Sequence, residues 1–249
     1  MGRIYEALKR SDEEQAYYRS PSSKDLYSSL LDDFPGDDID TKPIATDKEV
    51  STDLQLRMPD LLVKSIMFTG TSPKCGTSRT AVSFATSLAK DSNSNILLID
   101  VNLKSPSLHE VFNLDNSLGG MSELLNKKFD IEKQIRRVEP INISVLPCYR
   151  KQTSLVSLFG SSRFENFLKE IREQFDHIIL DGPPVSGFSE SLLIGSKVDG
   201  VIMVIVSGNT RRHVALRAKS EIEKSGGRLL GVVLNRRKYY IPGWLYNRI

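Results

Sequence analysis

From about residue 61 onward, short apolar runs alternate with stretches whose apolar positions recur every three to four residues. Residues 63–69 (Val-Lys-Ser-Ile-Met-Phe-Thr) form a run with β-branched members and predict a strand. Residues 95–100 (Asn-Ile-Leu-Leu-Ile-Asp) are almost entirely apolar, the pattern of a strand covered on both faces. Further strands are predicted at 143–146, 177–181, 200–206 and 229–234. Helices are predicted over 80–90, 163–175 and 210–225, the second with Phe164, Phe167, Leu168, Ile171 and Phe175 on one stripe. Residues 70–78 read as the loop between the first strand and the first helix. Strands that alternate with helices predict an α/β fold, a parallel sheet with helices on both faces. Ligands bind such sheets at the carboxyl ends of the strands.

The first sixty residues lack this order. Ile4, Tyr5 and Leu8 fall on one face of a short amphipathic helix over residues 1–10, too short to be stable unless docked. Residues 11–60 are rich in Ser, Asp, Tyr and Pro and predict a flexible acidic tether. The α/β domain is expected over 61–238 and a Tyr-rich tail over 239–249. Charge follows the same division. Residues 1–60 carry 14 acidic and 8 basic side chains, whereas residues 209–249 carry 10 basic and 2 acidic ones. That basic end is either a solvated surface or a face for phosphates, an acidic partner or anionic lipid. No basic motif interleaved with aromatics occurs, so no nucleic-acid partner is expected. Two cysteines, Cys75 and Cys148, give no disulfide framework and suit a reducing cytoplasm. No run approaches 18 apolar residues.

Three strand ends carry candidate chemistry. After the first strand comes Gly70-Thr-Ser-Pro-Lys-Cys-Gly-Thr-Ser-Arg-Thr80. A phosphate loop needs inward backbone N–H groups, a helix N-terminus, a cation and a hydroxyl for Mg²⁺. Lys74, Gly76, Thr77, Ser78, Arg79 and Thr80 are the candidate nucleotide-binding residues, in a stretch that runs to position 81; Arg79 supplies the cation and Thr80 the hydroxyl. Serine at 78 and arginine at 79 stand where the standard loop has glycine and lysine. A serine forced to positive φ costs about 1–2 kcal/mol, so the reading expects strain or an opened loop at Ser78. The second strand ends in Asp100, with Asn102 two residues on. The strand at 177–181 ends in Asp181, followed by Gly-Pro-Pro; this has the character of a Walker B carboxylate beside Mg²⁺. Arg79, Asp100 and Asp181 are the candidate catalytic residues, and Thr80, Asp100 and Asp181 the candidate metal ligands.

Taken together, these segments resemble the bacterial tyrosine kinases (BY-kinases) that accompany capsule and exopolysaccharide synthesis, within the wider MinD/ParA-like P-loop group. The resemblance covers about residues 61–238 and includes Pro106-Ser-Leu-His-Glu-Val-Phe112, Gly119-Gly-Met-Ser-Glu-Leu-Leu125 and Gly231-Val-Val-Leu-Asn235. It implies a P-loop NTPase-like fold, ATP and Mg²⁺ as cofactors, and an adenine contact for Asn235, expected at the far end of the crevice from the metal. It implies a membrane-bound polysaccharide chain-length (co-polymerase) partner, which would hold the protein at the inner face of the membrane. Tyr239, Tyr240 and Tyr246 correspond to the tail tyrosines that such kinases autophosphorylate. Lys74 matches the signature lysine of the wider group, five residues before the loop cation.

Departures from the family pattern keep three readings open. Cys75, Ser78 and Arg79 replace loop residues, and Asp100-Val-Asn-Leu-Lys104 stands for Asp-x-Asp-x-Arg. The chain is then a working autokinase, a degenerate binding module, or a MinD/ParA-like ATPase. A Glu/Arg/Arg ring-assembly motif is not matched by residues 49–57, so self-association is left open.

Overall fold

The computed structural model describes residues 63–91, 94–115, 119–124, 130–149, 151 and 155–236. The expected N-terminal helix, the acidic tether, residues 49–57 and the tyrosines of the tail lie outside the described residues. In chain order the elements are β1 (Ser65–Gly70), α1 (Thr77–Asp91), β2 (Ile96–Asp100) and α2 (Leu108–Val111). A 3₁₀ turn (Met121–Glu123), α3 (Ile131–Gln134), β3 (Arg136–Val138), β4 (Ile143–Leu146) and α4 (Leu155–Phe159) follow. The chain continues through α5 (Ser162–Gln174), β5 (His177–Asp181), α6 (Ser189–Gly195), β6 (Gly200–Val206), α7 (Arg212–Lys224) and β7 (Leu229–Asn235).

The seven strands form one sheet in the order β3-β4-β2-β5-β1-β6-β7. All neighbours pair in parallel except β3, which runs antiparallel to β4 at one edge. The six apolar runs thus become six strands of one sheet. β3 is the strand that hydrophobic pattern did not announce: Arg136-Arg137-Val138 buries only its valine, and an edge strand asks for little more.

Every residue of β1 and β2 is buried, because helices cover both faces. On one face Phe68 of β1 packs against Phe84 of α1, with ring centroids 5.2 Å apart. On the other, Met67, Leu97, Ile178 and Val201 share a core with Phe164 and Ile171 of α5 and with Ala218 and Ile222 of α7. α5 starts at Ser162 because the Ser161 side chain accepts a hydrogen bond from the Phe164 N–H, a serine cap. β7, at the other edge, is less well covered: Val232 and Leu234 remain about half exposed.

At the amino ends of β1 and β6 the sheet is tied by Asp199. Its Oδ2 accepts the backbone N–H of Lys64 (2.9 Å) and of Ser65 (2.8 Å) and the Ser65 hydroxyl (3.0 Å). Its Oδ1 pairs with the Arg172 guanidinium at 2.8 Å. Burial pushes the Asp199 carboxyl up, but the hydrogen bonds and charge of Arg172 and the bonds from Ser65 outweigh it and hold the carboxyl below its ordinary range.

Candidate phosphate and metal site

Strand order decides which chain exits meet. β5 lies between β1 and β2, so the end of β5 is flanked by the loop after β1 and the end of β2. Asp100 and Asp181 are register partners on neighbouring strands, and both are fully buried. The exits are laced by backbone bonds: Val101 N–H to Asp181 O (3.0 Å), Gly182 N–H to Phe68 O (2.9 Å) and Val185 N–H to Gly70 O (2.8 Å).

The two carboxylates differ in their partners. Asp100 Oδ2 accepts the N–H groups of Ser107 (2.8 Å) and Leu108 (3.0 Å), where α2 begins, and its Oδ1 accepts that of Asn102 (3.2 Å). Burial pushes the Asp100 carboxyl up to about 7, against the pull of those three N–H groups. Neither oxygen of Asp181 has a hydrogen-bond partner among the described residues. Burial, and then the charge of Asp100, push its carboxyl well above the ordinary range; the Ser78 hydroxyl facing it opposes this without completing a hydrogen bond. Two side-by-side desolvated carboxylates, one with bare oxygens, make a poor resting structure and a good cation site.

The loop after β1 turns on two left-handed residues, Lys74 (φ 64°) and Gly76 (φ 84°). A side chain at 76 has no room as well as the wrong φ, since a Cβ there would lie 2.1 Å from Asn235 Nδ2. With the reversal complete at Gly76, α1 begins at Thr77, three residues earlier than the apolar period indicates. This corrects the expectation for Ser78. It sits in the first turn of α1, and the positive φ values belong to Lys74 and Gly76, so serine at 78 imposes no left-handed strain. Its hydroxyl instead accepts a hydrogen bond from the Ser107 hydroxyl at 3.0 Å. This links α1 to the segment that holds Asp100.

Thr80 donates both its N–H (3.0 Å) and its hydroxyl (2.9 Å) to the Gly76 carbonyl. That donation leaves the hydroxyl lone pairs for a cation. Arg79 and Lys74 are exposed, and Thr77 is partly buried. Position 81 is Ala81, wholly buried in the core, and presents no group to the loop.

Asn235 is placed differently from expectation. Its amide Nδ2 donates to the Cys75 carbonyl at 2.8 Å and its Oδ1 accepts the Arg236 N–H at 2.8 Å. It therefore touches the phosphate loop itself and does not stand at the far end of the crevice. The parallel pairing of β7 with β6 brings its last residue to the same sheet edge as the end of β1.

Sequence reasoning missed one cluster altogether. Lys104 Nζ lies 2.8 Å from Glu190 Oε1 and 4.6 Å from the centre of the Phe188 ring. Glu190 is 4% exposed, and its Oε2 has no partner among the described residues. In the sequence, Glu190 is one acidic residue in the first turn of a helix, a common surface feature, so no local signal marks it.

The donor types fit Mg²⁺ and a phosphate chain. Carboxylate and hydroxyl oxygens are hard ligands, and Mg²⁺ characteristically takes one or two carboxylates and completes its shell with phosphate oxygens and water. No group of three or more His, Cys, Asp and Glu side chains gathers among the described residues, so a closed protein cage for a metal is not what they form. The N-terminus of α1 after Gly76 is the feature that attracts phosphate.

Comparison with known proteins agrees with this architecture. The AAA domain family matches residues 63–209. The tyrosine-protein kinase YwqD of Bacillus subtilis (strain 168) is 29% identical over 191 residues, covering 77% of this chain and 80% of that protein. The crystal structure of the chimerical protein CapA2B2 superposes with a TM-score of 0.75 at 27% identity, covering 85% of this chain and 91% of that one. Cobyrinic acid a,c-diamide synthase from Mycobacterium smegmatis, solved with bound ADP and magnesium, shares the fold at 17% identity, with a TM-score of 0.58 and coverage of 70% of this chain and 76% of that one. The chain belongs to the AAA domain family, with a P-loop NTPase-like fold, and bacterial tyrosine-protein kinases are among its relatives.

Proposed function

We propose that the protein binds ATP with Mg²⁺ and acts as a BY-kinase-like component of capsule or exopolysaccharide biosynthesis. It would regulate polymer synthesis or export through a membrane-bound chain-length partner, which would also hold it at the inner face of the membrane. The observation that carries this reading is Asp181: fully buried, its carboxylate oxygens bare, beside Asp100 and facing the first turn of α1. A structural aspartate would have found partners, as Asp199 does. Kinship with the tyrosine-protein kinase YwqD supports the kinase assignment. Among the described residues, no helix is long and apolar enough to cross a membrane.

In this reading Asp100, Asp181 and Thr80 hold Mg²⁺, and the first turn of α1 holds the phosphates with Arg79 and Lys74. ATP supplies the phosphoryl group, and Mg²⁺ offsets the charge on its phosphates. Asn235 fixes the loop through Cys75, and its amide keeps a second N–H and a second Oδ1 lone pair with which it would meet a nucleotide base. Tyr239, Tyr240 and Tyr246 are the proposed acceptors. The test is nucleotide titration with and without Mg²⁺, followed by mass spectrometry of residues 239–246 after incubation with ATP. Mg²⁺-dependent binding with phosphotyrosine in the tail is expected; absence of any Mg²⁺-dependent nucleotide binding overturns the reading.

A degenerate binding module is the second reading, favoured by the loop cation. Arg79 is a forked guanidinium where the family has a point-charge ammonium, and phosphoryl transfer depends on placement to within fractions of an ångström. Arg79→Lys combined with Asn102→Asp separates the two. A large gain in tail phosphorylation supports degeneracy, and unchanged robust activity supports a loop that works as it stands.

A further inference from the structure

The open edge of the sheet poses a physical problem that the described residues do not solve. β7 reads Leu-Leu-Gly-Val-Val-Leu-Asn, seven residues without a charge or a proline. As the last strand in the order, it leaves one row of backbone N–H and C=O groups unpaired within the sheet. Val232 is 49% and Leu234 50% exposed. In register with Met203 and Ile205 of β6, they extend the core face of the sheet beyond the cover of α7. Its register on β6 slips by one residue between Leu229 and Gly231, but from Gly231 to Asn235 the ladder is regular, and an uncharged edge of this kind pairs with other chains unless it is blunted by charge, proline or a covering segment.

The residues that follow immediately supply what β7 lacks. Residues 237–249 read Arg-Lys-Tyr-Tyr-Ile-Pro-Gly-Trp-Leu-Tyr-Asn-Arg-Ile: basic groups, a proline and several large apolar side chains. Arg236, at the junction, has φ 54°, the left-handed conformation that tight reversals of the chain use. Running back from Arg236 to Val232 takes four residues, about 13 Å at strand rise, well within the reach of thirteen residues. Attachment this close also gives the segment an effective concentration on the order of millimolar at β7, an advantage over any second copy.

We propose that residues 237–249 fold back in cis on β7, with Ile241, Trp244 and Leu245 covering Val232 and Leu234. Docked this way, the tail runs from the carboxyl end of β7 towards its amino end. That direction leads away from the sheet edge where Asp100, Asp181 and the phosphate loop lie. The docking does not depend on the kinase reading.

Trp244 is the single tryptophan of the chain, so its fluorescence reports on the tail alone. The full-length protein is measured without nucleotide, as emission maximum and as quenching by acrylamide, over a range of protein concentrations. The proposal expects blue-shifted, poorly quenched emission that does not change with concentration. Val232→Ser with Leu234→Ser should shift it to the red and raise quenching several-fold, with circular dichroism unchanged. If the double variant fails to fold, the wild-type measurement still decides. Quenching equal to that in urea overturns the proposal. So does protection that appears only as concentration rises, because the occupant is then a second copy; protection that requires anionic vesicles overturns it in favour of a membrane. Failure of nucleotide binding in the same preparation would bear on the proposed function and leave the docking result standing.

Discussion

Two acidic regions, one partly and one fully buried, sit at opposite ends of the same sheet, and they are built on opposite terms. At the amino end, Asp199 meets two backbone N–H groups, a hydroxyl and a guanidinium, and its carboxyl is held low. At the carboxyl end, Asp181 is more deeply buried, meets no hydrogen-bond donor among the described residues, and its carboxyl is held high. The first arrangement is complete without a ligand. The second is completed only by a proton or a cation. A carboxylate held away from water thus shows its role by its unmet need for partners.

The largest test of this contrast is Asp181→Asn. Even partners one step removed from a metal commonly change affinity 10- to 100-fold, so loss of this oxygen should cost Mg²⁺-dependent nucleotide affinity about 100-fold or more. The metal-free protein should meanwhile become more stable at pH 8, since a neutral amide replaces a carboxyl that burial penalises when charged. The sign follows from the raised carboxyls. With Asp100 at about 7 in the fold and near 3.9 when unfolded, its contribution is fully present below about pH 4 and is lost as pH rises through about 7. Metal-free thermal melts should therefore fall in midpoint across that window, and saturating Mg²⁺ with nucleotide should reverse the fall at the upper end. A flat profile in the absence of metal would break the comparison.

Asp199→Ala should behave in the opposite way. It leaves the Arg172 guanidinium with the Ser65 hydroxyl but no counter-charge, and removes the acceptor of the Lys64 and Ser65 N–H groups. The expected loss is about 2–3 kcal/mol of stability, measured by urea unfolding, with nucleotide affinity of the folded fraction unchanged. A selective loss of nucleotide affinity would place Asp199 in the functional region after all.

What could be read from the sequence follows the same physics. Asp100 and Asp181 stand out because each ends an apolar run, and a charge at the end of a buried strand needs a reason. The parallel sheet is legible for a similar cause: strands covered on both faces are apolar throughout. Ser78 reads as a loop residue in the sequence because the apolar period of α1 starts only at Ala81, whereas the helix starts as soon as Gly76 has turned the chain. The Lys104–Glu190 pair joins residues far apart in sequence, and neither residue carries a local mark. The half-exposed face of β7 was hidden by its own composition, since Leu-Leu-Gly-Val-Val-Leu looks like an interior strand and edge position is a property of topology.

That unmarked pair supplies a smaller test. Lys104→Ala leaves the Glu190 carboxylate buried with neither oxygen partnered, at an expected cost of about 1–2 kcal/mol. Lys104→Met, which keeps the stem over Phe188, should lose nearly as much if the charge is what matters. Full retention of stability in Lys104→Met, measured by thermal melts at pH 8, would show that packing on Phe188 is the whole contribution.

The smallest effect, and the one that most sharpens the comparison, belongs to Ser78. Read from the sequence, Ser78→Gly restores a loop glycine and should relieve strain. In the fold there is no strain at 78 to relieve, because the residue is helical. What glycine removes is the hydroxyl bonded to Ser107 and facing Asp181. It also brings the backbone freedom of glycine into the first turn of α1, and each of these two losses is worth roughly 0.5–1 kcal/mol. Ser78→Ala separates them, since alanine removes the hydroxyl and keeps helix propensity. The expected result is a several-fold loss of Mg²⁺–nucleotide affinity in both variants and a drop in thermal midpoint that is larger for glycine than for alanine. The hydroxyl would then be a partial substitute for the partners that Asp181 lacks, placed by this chain where the family pattern has only space. Tighter Mg²⁺–nucleotide binding in Ser78→Gly than in wild type would mean the reverse: the serine obstructs the site, and the need left open at Asp181 is met better without it.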